Sequence, residues 1–290
     1  MYMETETIVK SGKYKFRIID KIAKYEDRII GRNVKIGANY PDCVNISISY
    51  SGDIPVSAYI PILVYNEECS METPLDRGGG SVIMIKELLT YVKQKIPEIK
   101  NINFEDLSQI DCANIEEIEK YRGTKKIGTH IKPIPLYFFS IMFNGKTWYE
   151  KNFNARLKQD KAHKAYRERV EHVLVMKLPE FENFLQIINP PLQIIPKLKT
   201  YYENNTTYGD FFRAIPVSER CELVRDWITP FMHYYIGDVF TNTNWIIPIQ
   251  SFTGGRKRTK KNNSQRNTSN KSKYRILRYN NDIGVDAKDV

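Results

Sequence analysis

The chain contains no apolar run approaching the ~20 residues that a membrane-crossing helix requires. Its most apolar stretch, Ile134 to Phe143, is interrupted by Pro135 and Ser140. The start is acidic from Met1 to Thr7 with no apolar segment behind it, a pattern unlike a signal peptide. Cysteine is scarce, and Cys43, Cys69, Cys112 and Cys221 stand far apart with no CxxC pair. That spacing predicts reduced thiols in a cytosol-like compartment. Together these absences predict an intracellular protein with no membrane partner. The four histidines, His130, His163, His172 and His233, are equally scattered, so no metal-ligand spacing is present and no metal site is expected. A thiol hydrolase built on Cys112 or Cys221 is disfavoured for lack of a nucleophile turn or a paired histidine.

Acidic residues are missing from one place in particular. Between Arg256 and Arg278 there are ten basic residues and no acidic one, and the whole chain carries a net charge of +10. The remainder is therefore near neutral. Residues 254–290 read as a disordered basic tail, because a stretch of Asn, Ser, Thr, Lys and Arg cannot bury enough apolar surface to offset its chain entropy. Its densest part, Arg256, Lys257, Arg258, Lys260 and Lys261, fits a nucleic-acid contact by counterion release, a nuclear-import signal or a solvated tail.

What is present in the body is a set of alternating segments. Lys13 to Ile18, Arg28 to Gly37, Val44 to Tyr50 and Val56 to Tyr65 predict an antiparallel meander. Pro61 lies inside the last of these and marks an edge, a bulge or a departure from a neighbour. Pro74 to Ser81 follows, with Gly78, Gly79 and Gly80 in succession. Val82, Ile85, Leu89, Val92 and Ile96 then recur at helical spacing up to Pro97. Three glycines before a helix are either plain turn residues or a phosphate cradle, in which backbone N–H groups, the helix dipole and Arg77 would face an anion. Asn101 to Glu105 reads as a strand, and the intervening helix makes it parallel to the strand holding Pro61.

Ile134 to Phe143 reads as a helix, and Tyr149-Glu150-Lys151-Asn152-Phe153 follows soon after. Arg156 to Met176 predicts a surface helix. A helix from Glu219 to Tyr235, capped by Ser218 and bent or ended early by Pro230, would carry Leu223, Trp227 and Phe231 on a core face.

In this order the chain resembles the GNAT-type N-acetyltransferases over roughly residues 14–157. The resemblance implies an α+β fold with a GNAT-like central mixed sheet, an antiparallel meander plus a parallel pair, followed by a mostly helical C-terminal unit. The expected divisions are 1–157, 158–253 and the tail 254–290. It implies acetyl-CoA as cofactor, held by Leu63 and Val64 at the strand bulge and by Arg77, Gly78, Gly79, Gly80 and Ser81 at the pyrophosphate. Tyr149 would protonate the departing thiolate, and Glu105 or Asp106 would deprotonate an amine acceptor that the sequence does not specify. Each has a bland alternative: Tyr149 as core, and Glu105 and Asp106 as solvent-facing or capping groups. The family's usual loop opens with Gln or Arg where this chain has Leu75, and its Tyr-Glu-Lys-x-Gly-Phe segment has one more glycine.

A second resemblance, carried by Gly145 to Phe153, Thr206 to Phe212, Arg220-Cys221, Trp227 and the Gly-Gly-Arg tail, is to uncharacterised proteins of large double-stranded DNA viruses. It implies a host cytoplasmic, nuclear or virion setting. It also leaves open an inactive GNAT-like protein that binds nucleic acid or virion components through its tail.

Overall fold

The computed structural model describes residues 1–38, 43–63, 65–76, 78–110, 112, 133–237 and 244–251. Val64, Arg77 and the basic cluster from Arg256 to Lys261 lie outside the described residues.

Five strands, β1 (Tyr2–Ser11), β2 (Tyr14–Tyr25), β3 (Arg28–Gly37), β4 (Val44–Ser51) and β5 (Ile54–Leu63), form the antiparallel meander. Strand β1 was not expected, since its Glu-Thr alternation carries little apolar signal. Its partner β2 alternates between buried and half-buried residues, as a sheet covered on one face must. Phe16, Ile18, Val34, Ile36 and Ile46 are fully buried on that face, beneath helix α1 (Gly79–Lys95) and its Met84, Leu88 and Val92. A buried ion pair lies there too: Arg32 donates two hydrogen bonds to Asp20 at 2.7 and 2.5 Å, and Tyr91 Oη adds a third at 3.0 Å. The opposite face is polar, with Lys15, Arg17, Lys35 and Ser47 half-buried.

The pairing of β4 with β5 shifts register between Asn45↔Ile62 and Ser47↔Tyr59, an extra residue in β5 at the position of Ile60 and Pro61. Strand β6 (Asn101–Phe104) runs parallel to β5, paired as Tyr59↔Asn103 and Ile60↔Phe104. The bulge expected at Pro61 is therefore present, at the point where the parallel pairing ends. Beyond it lie β7 (Gln109–Ile110) and β8 (Ile134–Pro135), which pair with each other. Next come α2 (Leu136–Asn144) and α3 (Trp148–Phe153), then β9 (Arg156–Leu157).

Six helices follow: α4 (Asp160–Val175), α5 (Phe181–Ile188), α6 (Ile195–Tyr202), α7 (Tyr208–Ala214), α8 (Arg220–Val224) and α9 (Ile228–Ile236). The chain then re-enters the sheet as β10 (Trp245–Pro248), between β6 and β9 and antiparallel to both. The architecture is thus α+β, with a mixed sheet of order β1-β2-β3-β4-β5-β6-β10-β9. The helical stretch is an excursion between two adjacent strands, and one continuous core joins it to the sheet. No helix of the described residues is long and apolar enough to cross a membrane.

Leu223, Trp227 and Phe231 are buried, packed with Phe184, Tyr208 and Phe212 in tilted and edge-on ring contacts. The single helix expected from Glu219 to Tyr235 is instead two, α8 and α9. The break precedes Pro230, which sits in the first turn of α9, where a missing N–H leaves no hydrogen bond unmade. Nor does Ser218 act as cap, for Glu219 takes that position without a side-chain hydrogen bond. The Thr206 to Phe212 segment has a structural purpose. Thr207 Oγ1 accepts from Asp210 N at 3.2 Å to cap α7, and a Cβ at Gly209 would meet Leu174 O at 2.7 Å, so only glycine lets α7 abut α4.

The cysteines require a correction. They are not free thiols: Cys43 is bonded to Cys69 and Cys112 to Cys221. Spacing in sequence missed this because the partners are brought together by tertiary structure. The start of β4 meets the 3-10 turn Glu67–Cys69, and the residue two places after β7 meets α8. Bonds of this kind persist in oxidising surroundings, so the inference of a cytosol-like compartment from cysteine usage does not hold.

Candidate functional site

Strand β6 ends at Phe104, and alternation sends the next two residues to opposite faces of the sheet. Glu105 is exposed, and its charge, second to burial, raises the phenol of Tyr59 on the polar face. Asp106 is buried, at 8% exposure. The two acids named from sequence as alternative bases therefore occupy different environments.

Asp106 opens a tight turn. Its Oδ1 accepts from Ser108 N at 3.2 Å and from Ser108 Oγ. Its Oδ2 is buried and has no hydrogen-bond partner among the described residues. Burial pushes the Asp106 carboxyl up to about 6, and the Ser108 hydrogen bonds only partly oppose this. A carboxyl with that affinity exchanges protons near neutrality, which is what general acid-base work requires.

Tyr149 arrives from α3. That helix begins with a full capping box: Thr147 Oγ1 accepts from Glu150 N at 3.1 Å, and Glu150 Oε2 accepts from Thr147 N at 2.7 Å. Glu150 also accepts from Tyr166 Oη at 2.8 Å and faces Arg167 at 3.6 Å. The conspicuous acid of the Tyr-Glu-Lys segment is thus a cap and a strut. Capping fixes the first turn so that the Tyr149 ring lies 4.6 Å from that of Phe104, centroid to centroid, and 5.0 Å edge-on from Trp148. Tyr149 is 5% exposed. Burial first, and the charge of Asp106 second, raise its phenol far above the ordinary range, while a Ser108 hydrogen bond opposes them. Tyr149, Asp106 and Ser108 therefore form one interacting cluster at the C-terminal end of a parallel strand, where sites in open sheets gather.

Ser108 was not named from sequence. The Asp-x-Ser spacing of Asp106-Leu107-Ser108, which supports a side-chain turn, was the signal available.

The glycine loop forms the N-terminal end of α1. Gly78, with φ +72°, supplies a left-handed turn at the helix cap. A Cβ at Gly80 would come within 3.0 Å of Leu75 and 3.3 Å of Tyr14 Oη, whereas one at Gly79 would meet nothing within 4 Å. So Gly80 serves close packing and Gly79 leaves the loop open. Ser81 is buried in the first turn, and Leu63 is the last residue of β5, paired with Val44. Asp76 also belongs to this loop. It accepts from Lys13 Nζ at 2.7 Å and Tyr14 Oη at 2.8 Å, placing an acid at the approach to a helix N-terminus.

The structure thus sets the charge of Asp106 near Tyr149 and leaves Glu105 exposed away from them. A groove of about 590 Å³ lies elsewhere, in the helical region between Lys177 to Glu182 and Lys199 to Thr206. None of the site residues expected from sequence lines it. Set against family models, curated proteins and solved structures, the chain matches none.

Proposed function

We propose that the protein is an acyl-CoA-dependent N-acetyltransferase of the GNAT type. The observation that carries this reading is the meeting of Asp106 and Tyr149 just past the end of β6, beside a strand pair that parts at a bulge. In this reading the backbone of Leu63 at the bulged strand faces the pantetheine. The open side of Gly79, with Ser81 and the first turn of α1, takes the pyrophosphate. The residues fit such a cofactor in one respect: Gly79 leaves room for a ligand against the backbone.

Within that chemistry the chain's own groups have distinct tasks. Tyr149 Oη would supply the proton for a departing thiolate, and Asp106, protonating near pH 6 with its Oδ1 held by Ser108, would be the acid beside it. Glu105, exposed on the other face, is separated from this corner and is not placed to take the proton of an amine reacting there.

Calorimetric titration of the full chain with acetyl-CoA tests the proposal, with ATP as a control for polyphosphate uptake by the basic tail. We expect saturable binding of acetyl-CoA that Gly79→Glu abolishes at unchanged melting temperature, since a carboxylate there would repel the pyrophosphate. Binding that Gly79→Glu leaves intact, or equal binding of ATP, would sink the cradle.

A second reading is favoured by Asp76, an acid in the loop that an anionic cofactor must approach. It is a catalytically inactive descendant of the same fold that binds nucleic acid or virion components through residues 256–290. The two disulfides suit an oxidising setting for either reading, a virion included, more than a reducing cytosol.

A further inference from the structure

We infer that β1 is a self-association edge, on which a second copy of this chain pairs antiparallel to extend the sheet across a two-fold axis through Thr7. Strand β1 stands at the end of the strand order, and β2 is its sole strand partner among the described residues. Its ten residues pair with β2 without a register shift, and it contains no proline. An edge of that length, unbent and with no proline, is a template for another strand. It is also exposed along its length, with Tyr2, Met3 and Ile8 at 82%, 47% and 44%.

The occupant follows from the charges. Glu4 is bonded to Lys21 at 2.8 Å and Glu6 to Arg17 at 3.3 Å, both on β2. Lys10 faces a like charge, Lys15, and the two share one acid, Glu72, which lies 2.8 Å from Lys15. Like charges directly opposite across a ladder are unfavourable. With the two-fold at Thr7, Glu4 of each copy lies opposite Lys10 of the other, Thr5 opposite Val9, and Met3 opposite Ser11. The strand is complementary to itself in this register. Moving the axis to Glu6 would set Glu6 against Glu6. Moving it to Ile8 keeps one acid-base match but leaves Tyr2 to Glu4 without partners. A two-fold perpendicular to the sheet also keeps α1 of both copies on the same side, so the apolar faces do not conflict.

Sedimentation equilibrium of the full chain in non-reducing buffer is the first measurement, and a monomer-dimer equilibrium is expected. Lys10→Glu should weaken the dimer about tenfold, two lost pairs at a few tenths to one kcal/mol each, and Glu4→Lys with Lys10→Glu together should restore it. The register is read by cysteine trapping. Facing residues of antiparallel strands have Cα atoms roughly 4.5–5.5 Å apart, within disulfide reach, so Thr7→Cys should yield a covalent dimer on a non-reducing gel and Ile8→Cys should not. A chain that sediments as a monomer would overturn the proposal. So would a dimer indifferent to both charge reversals, or one trapped through Ile8→Cys in place of Thr7→Cys.

Discussion

At the glycine loop the charged groups stand in water: Asp76 has a side chain 62% exposed and shares a proton donor network with Lys13 and Tyr14. At the Asp106 corner the charged group is enclosed, with one oxygen held by Ser108 and the other facing no partner among the described residues. Both regions flank the same helix-crossover unit, and each is anchored by its own disulfide. Cys43–Cys69 lies upstream of the loop and Cys112–Cys221 just behind the corner. The contrast is between an exposed acid on an open loop and an enclosed acid in a turn. An exposed acid is screened and weakly coupled, whereas an enclosed one changes its proton affinity.

The largest expected effect concerns the two anchors. The Cys112–Cys221 bond closes a separation of 109 residues and Cys43–Cys69 one of 26. In the chain-entropy account their loss costs about 5 and about 3.5 kcal/mol respectively. Urea unfolding of Cys112→Ala/Cys221→Ala should therefore show a larger drop than Cys43→Ala/Cys69→Ala. Thiol titration of the unreduced, denatured wild type should find no free cysteine. Four titratable thiols would erase the distinction between the anchors.

Next is Asp106. Its folded pKa of about 6 lies above the ordinary value of 3.8, so the folded state binds the extra proton. Stability from this group is intact below pH 3.8, declines as pH rises through 6, and is level above that. The full penalty is roughly 3 kcal/mol. Asp106→Asn should remove it, making the chain more stable at pH 8 and flattening the decline between pH 4 and 6. An unaltered pH profile in thermal melts would show that the corner is open to water, like the loop.

The smallest effect separates neighbouring glycines. Gly80→Ala meets Leu75 and Tyr14 and should cost about 1 kcal/mol. Gly79→Ala meets nothing and should be neutral or gain a few tenths from helix propensity. Equal melting temperatures for the two variants would deny the loop its division into a packed and an open side.

Much of the sheet was legible because its signals are local. The alternation of β2, β4 and β5, the helix after Gly80 and the bulge at Pro61 each follow from a few adjacent residues. The parallel pairing followed from the length of the crossover. What escaped was non-local or weak in pattern. Strand β1 has threonines and glutamates where apolar residues would announce a strand, and the disulfides join residues that only the fold makes neighbours. β10 is four residues whose place in the sheet depends on partners about 90 and about 140 positions away. Asp106 was named by residue type and position after a strand, and Tyr149 by the resemblance of its Tyr-Glu-Lys segment. The hydrogen bonds from Ser108 to Asp106, and the assignment of Glu150 to a capping box, required the turn geometry.

The return of β10 has a consequence for how the chain folds. Lys158 N donates to Asn244 O at 2.9 Å, and Leu157 pairs with Trp245, so residues 158–244 amount to the turn of a β-hairpin, swollen into a helical bundle. Until that bundle collapses, β10 cannot reach β6, and the outer edge of β6 stays unpaired in the nascent chain. Sheet completion thus waits on contacts of high sequence separation, which fold slowly and expose a sticky edge meanwhile. Mutations in the helical bundle, far from any site residue, will register first as aggregation during synthesis and only second as loss of stability.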